Sequence, residues 1–282
     1  MRWKKGRRST NVDDRRGQRV GRGVKMGGGL TLLVVVAVLL LGGDPTTLLQ
    51  VVGDSPTTQT RAPTAAEDEM ADFVTVVLGY TEDTWTEIFA AAGQTYREPT
   101  LVLFTDMVQS ACGTNSAATG PFYCPPDQKV YVDLGFFREL ERIGGAGDFA
   151  QAYVVGHEVG HHVQNLVGTS SSVRQAQARS GSRAEANRLS VLMELQADCY
   201  AGVWAHHMNR RGGGAILESG DVEEGLRAAA AIGDDRLMRS AGRAANPESF
   251  THGTSEQRAT WLRRGLQTGS VEACDTFRQG AP

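Results

Sequence analysis

The chain is 282 residues long, 40% hydrophobic and 22% charged, with a formal net charge of −3. That balance excludes a largely disordered protein and suits one large domain or two small ones. The charge is uneven: residues 1–25 carry ten Lys/Arg and two Asp, a net of +8, which leaves −11 on the other 257. Such a basic head serves some proteins as a nucleic-acid arm, but the apolar segment after it argues for a membrane and against nucleic acid.

Residues 27–43 carry no charge, and 30–41 are almost wholly aliphatic. The uncharged run of about 17 residues is the lower limit for a helix that spans a bilayer. No A-x-A-type cleavage site comes after it before Asp44-Pro45. The expected organisation is a basic cytoplasmic head at 1–25, a transmembrane signal anchor at 26–43, a flexible Pro/Thr-rich linker at 44–66 and a folded domain at 67–282. By the positive-inside rule this is a single-pass protein of the cell membrane, its domain extracytoplasmic and the lipid bilayer a partner.

From Glu67 onward, Phe73, Val76, Val77, Trp85, Ile88 and Phe89 recur at helical spacing, with Gly79-Tyr80 a possible break. Residues 100–104 read as a strand. Cys112 and Cys124 bracket a Gly/Ser/Asn/Pro-rich stretch that looks like a loop closed by a disulfide. Four cysteines in an exported domain read as two bridges, with three possible pairings; the expected one is Cys112–Cys124 with Cys199–Cys274. Residues 122–124 and 129–134 suggest a hairpin. In its second arm Val130 and Val132 alternate with Tyr131 and Asp133, as in a half-buried strand, and this arm is a candidate edge for an extended substrate. Helices are expected at 136–143, 149–165, 183–210 and 221–232, the last capped by Asp221. Residues 168–182 read as a mobile loop or loose helix. Thr254 and Gln257 form a capping box that opens a helix running to about Leu266.

The chemistry centres on His157-Glu158-Val159-Gly160-His161. Residues four apart on a helix share a face, so His157 and His161 can aim two imidazoles at one Zn²⁺. Glu158 flanks that site, placed to act as general base without being a ligand. A third protein ligand is needed, with a fourth position left open. A metzincin extension fails, because Gln164 and Val167 stand where Gly and His would be. A carboxylate from a second helix remains: Glu194 as ligand, with Asp198 one turn on accepting the N–H of a liganding imidazole, His157 for choice.

H-E-V-G-H-H with E-L-Q-A-D-C downstream resembles the gluzincin pattern, HExxH plus ExxxD. More closely, the chain resembles the neutral zinc metallopeptidases of the YpfJ type. It does so through the basic head and anchor, S-A-C-G, G-P-F-Y-C-P, K-V-Y-V-D-L, E-L-Q-A-D-C-Y-A-G-V-W-A, A-I-G-D-D, H-G-T-S-E-Q-R and C-D-T-F. The resemblance implies an α+β zincin-like metallopeptidase domain, mainly helical with a small antiparallel sheet, after one N-terminal transmembrane helix. It implies one Zn²⁺ per chain and a peptide or protein substrate. His252 with Arg258 six residues on is similar to a motif of CAAX-protease-like membrane metallopeptidases, and makes both candidates to stabilise the oxyanion. The competing expectation is a non-catalytic envelope protein in which the same zinc cluster is a staple or binding module.

Overall fold

A computed structural model describes residues 1–17, 62–211 and 215–279. The expected anchor, and the linker up to residue 61, lie outside them. Among the described residues no helix is long and apolar enough to cross a membrane.

The sheet is mixed rather than antiparallel. Its order is β1 (Val12–Asp14), β2 (Thr100–Phe104), β6 (Lys129–Asp133), β5 (Phe122–Cys124). The first two junctions are parallel and only β6–β5 is antiparallel. A separate hairpin pairs β3 (Met107–Ser110) with β4 (Gly113–Ser116), and β4 falls in the stretch between Cys112 and Cys124 expected to be a loop. β6 is therefore internal, and β5 is the edge. Val130 to Asp133 are all buried. The period-two alternation is real, but it sorts residues between two cores instead of between core and water. Val130 and Val132 join the main core with Leu101 and Leu103, while Tyr131 joins Val102, Phe104 and Val108 on the other face.

The helices are α1 (Ala65–Ala91), α2 (Gly135–Arg142), α3 (Asp148–Leu166), α4 (Thr169–Arg179), α5 (Arg183–Arg210), α6 (Asp221–Ala231), α7 (Asp234–Ser240), α8 (Ser255–Thr268) and α9 (Thr276–Gln279). α1 opens on a Thr64/Glu67 capping box and runs unbroken through Gly79. The insert at 168–182 is helix α4, held by buried Val173 and by Gln177 Nε2, which donates to Ser190 Oγ at 2.8 Å and to Ala186 O at 3.1 Å. Asp221 does not cap α6; Gly220 does, and Asp221 Oδ2 accepts the Glu218 N–H. The Thr254/Gln257 capping box of α8 is formed.

α5 is the helix on which α3, α8 and the C-terminal turn all lean, with Trp204 fully buried along it. Close approach is enforced by small residues: a Cβ on Gly160 of α3 would stand 2.9 Å from Ala197 O of α5. Both disulfides pair as expected, Cys112–Cys124 and Cys199–Cys274. The expected separate head does not describe residues 1–16: Met1–Arg16 belong to the same compact unit as 63–282. β1 extends the sheet, and the Met1 ammonium pairs with Asp148 at 2.7 Å and Asp221 at 3.2 Å, at the starts of α3 and α6.

Candidate metal centre

α3 and α5 cross with Gly160 at the contact, which lets Glu194 on α5 reach the two histidines of α3. Glu194 Oε2 lies 3.2 Å from His157 Nε2, and Oε1 lies 3.3 Å from His161 Nε2. Ligands held about 2.1 Å from a tetrahedral zinc stand roughly 3.4 Å apart, so these separations fit one ion. All three ligand atoms lie within 4.8 Å of one another. Two imidazole nitrogens and one carboxylate oxygen are a donor set that zinc accepts, with a fourth position open.

Each imidazole is turned by a partner on its other nitrogen. His157 Nδ1 lies 2.8 Å from Asp198 Oδ1, and His161 Nδ1 lies 2.8 Å from Gln164 Oε1. With Nδ1 donating to these partners, both Nε2 atoms face Glu194 and the space in front of it. Asp198 is fully buried and is itself held. Arg258 donates from Nε and Nη2 at 2.9 Å, and Tyr153 Oη donates at 2.5 Å. Gln164 is fixed in turn, its Nε2 donating to Met193 O at 2.7 Å and Gln196 Oε1 at 3.1 Å.

Burial pulls both imidazoles down and pushes Glu194 up, yet mutual attraction wins. Asp198 and Glu194 raise His157, Glu194 raises His161, and the two imidazoles hold Glu194 well below the usual carboxylate range.

The triad opens on a cleft of about 590 Å³. Glu158 lines that cleft beside His157, 7% exposed and without a hydrogen bond among the described residues, so its oxygens are available to water. Phe122, Phe136, Val173 and Ile232 give the cleft mostly apolar walls. His252 enters it from the loop before α8. Its Nδ1 lies 3.1 Å from Asp234 Oδ1, while Asp234 Oδ2 accepts the backbone N–H groups of Thr251 and His252 at 2.7 Å and of Gly253 at 3.2 Å. The hydrogen bond to Asp234 raises the His252 pKa above its ordinary value, on a side chain that is about half exposed.

Arg258 lines the cleft but is only 2% exposed: its Nε and Nη2 donate to Asp198 and Tyr153 Oη behind His157, and Nη1 lies 3.4 Å from Ile232 O. Asp198 lies against His157, Glu158 lines the cleft, and His157, His161 and Glu194 are brought together. Sequence reasoning missed Tyr153, Gln164 and Asp234. Tyr153 and Gln164 sit one turn from His157 and His161 on the same helix face, a usable signal. Asp234 lies in A-I-G-D-D, with nothing local to tie it to His252. A second acidic trio, Asp148, Asp221 and Glu224, also gathers within 4.8 Å, but the Met1 ammonium already pairs with Asp148 and Asp221.

The comparisons with known proteins agree with this geometry. The model of a family described as putative neutral zinc metallopeptidase matches residues 1–277. The chain is 48% identical to the uncharacterized protein YpfJ of Escherichia coli K12 over 98% of its own length and 99% of that protein's. It is 44% identical to the uncharacterized protein Rv2575 of Mycobacterium tuberculosis H37Rv, over 64% of this chain and 63% of the relative. No solved structure matches. With the family model and the 48% identity both running over nearly the whole chain, the protein belongs to the putative neutral zinc metallopeptidase family.

Proposed function

We propose that the protein hydrolyses peptide bonds as a zinc-dependent endopeptidase. The observation that carries this reading is the convergence of His157, His161 and Glu194 at the floor of an open cleft, with the Glu158 carboxylate unengaged beside them. Zn²⁺ held by those three residues would supply Lewis acidity to the scissile carbonyl and acidify a water. Glu158 takes the proton of the attacking water as general base and passes it to the leaving nitrogen. His252, whose protonated form Asp234 favours, donates to the carbonyl oxygen as negative charge develops there. Asp198 and Gln164 orient the two imidazoles, and Arg258 and Tyr153 are positioning residues that hold Asp198. β5, the sheet edge whose Phe122 and Tyr123 line the cleft, is the strand on which an extended peptide would lie.

The length and aliphatic content of residues 27–43 support attachment to a bilayer, and two disulfides support an oxidising compartment. The non-catalytic reading, a zinc staple, is disfavoured because a closed structural site takes four protein ligands and this one opens on a cleft. The test uses the full chain in mild detergent. It is expected to hold about one zinc and cleave unfolded casein, and Glu194→Ala is expected to lose both metal and cleavage. A chain that keeps zinc with Glu194 removed contradicts the assignment.

A further inference from the structure

We propose that residues 1–16 and the zinc-binding unit lie on the same side of any membrane the chain engages. The inference holds whether or not the centre is catalytic.

Four observations carry it. First, β1 is a strand of the sheet: Val12, Asp13 and Asp14 pair in parallel with Leu101, Val102 and Leu103. Paired strands stand about 4.8 Å apart, whereas the hydrocarbon core of a bilayer is about 30 Å thick. One ladder cannot have a strand on each side. Second, Glu82 of α1 is a carboxylate only 1% exposed whose partners come from the head. Arg7 Nη2 donates at 2.8 Å, Ser9 Oγ at 2.5 Å and Asn11 Nδ2 at 2.9 Å. Without residues 7–11 it would lose all three, and an unpaired buried carboxylate is costly.

Third, Gly79 of α1 is packed under the head: a Cβ there would stand 2.5 Å from the Arg7 carbonyl oxygen. Fourth, the two chain ends that flank 17–62 meet. Arg16 Nη1 donates to Glu67 O at 2.8 Å, and Nη2 lies 3.1 Å from Asp68. The chain leaves the unit and returns to it within the reach of one side chain.

The single-pass arrangement rested on the head's cations facing the cytoplasm. Three of those cations are engaged in the fold. Arg8 pairs with Asp72 at 2.6 Å, Arg7 with Asp83 at 2.7 Å, and Arg16 with Asp14 at 2.7 Å.

Two measurements on the full chain test the proposal. The four native cysteines are all in disulfides, so Lys5→Cys and Gln267→Cys, both exposed positions, each provide one free thiol. In intact bacterial cells a membrane-impermeant maleimide is expected to reach both at the same stage, either both before lysis or both only after it. One position labelled before lysis and the other only after it overturns the proposal. In the detergent-purified chain, Gly79→Ala is expected to lower Tm, because the new methyl collides with the Arg7 carbonyl. A glycine in a helix with nothing docked on it gains stability when replaced by alanine, so an unchanged or raised Tm also overturns it.

Discussion

Asp198 shows how much of the centre is built behind the ligands. Its buried carboxylate takes hydrogen bonds from His157 Nδ1, Tyr153 Oη and both Nε and Nη2 of Arg258. Arg258→Ala removes the two charged donors from a carboxylate with no solvent to replace them. The expected loss is about 3 kcal/mol of stability, read as a lower denaturation midpoint, with zinc affinity down roughly 10- to 100-fold. Unchanged zinc affinity would remove Arg258 from the positioning network. His252 gives a prediction in pH. Asp234 raises its pKa, so the protonated donor persists above the ordinary value of about 6.5 and is lost as pH rises through the raised one. Asp234→Asn is therefore expected to move the basic limb of the pH–rate profile to lower pH and to reduce kcat; a limb that stays in place excludes His252 as the titrating donor. The ligands were legible because i, i+4 spacing shows them within each helix. Tyr153 and Gln164 carried the same spacing signal, one turn from His157 and His161, but a tyrosine on an apolar helix face reads as core and a glutamine near the helix end as surface. Their partners, Asp198 and Met193, lie on another helix.

At the level of elements, the register of α3 against α5 decides whether Glu194 reaches the histidines. Gly160 permits it, with Ala197 Cα 3.1 Å and Ala197 O 2.9 Å from where its Cβ would be. Gly160→Val is expected to force the helices apart, costing about 1–3 kcal/mol as overpacking does and weakening zinc binding more than a surface change of equal destabilisation. Calorimetric zinc titration beside a thermal melt separates the two effects, and full zinc affinity in this variant would show that the crossing distance does not matter. Most helices could be read from apolar spacing and caps, Thr254/Gln257 above all. The strand 129–133 was legible as a strand but not as an internal one, since Tyr131 looks like an exposed partner until a second cluster covers it. α4 was obscured because its sequence offers one buried apolar residue, Val173, and its helix is held by Gln177 contacts to α5 that no local pattern announces.

For the molecule as a whole, charge composition misled where pairing was invisible. A net of +8 in 25 residues reads as a solvated arm, yet Arg7, Arg8 and Arg16 meet Glu82, Asp72 and Asp68 on α1. Two oppositely charged segments far apart in sequence cannot be matched by composition. The parallel β1–β2 ladder likewise depends on a partner strand far along the chain. The cleft sits where the histidine helix, the carboxylate helix and β5 come together, whereas the strand expected to be its edge, 129–134, is internal.

The most direct test of the catalytic claim is paired measurement of zinc content and casein cleavage in Glu158→Gln of the full chain. Glu158 is beside the triad but not in it, so the variant is expected to retain about one zinc per chain and lose at least roughly 100-fold in turnover. Cleavage at the wild-type rate with the metal still bound would contradict the account.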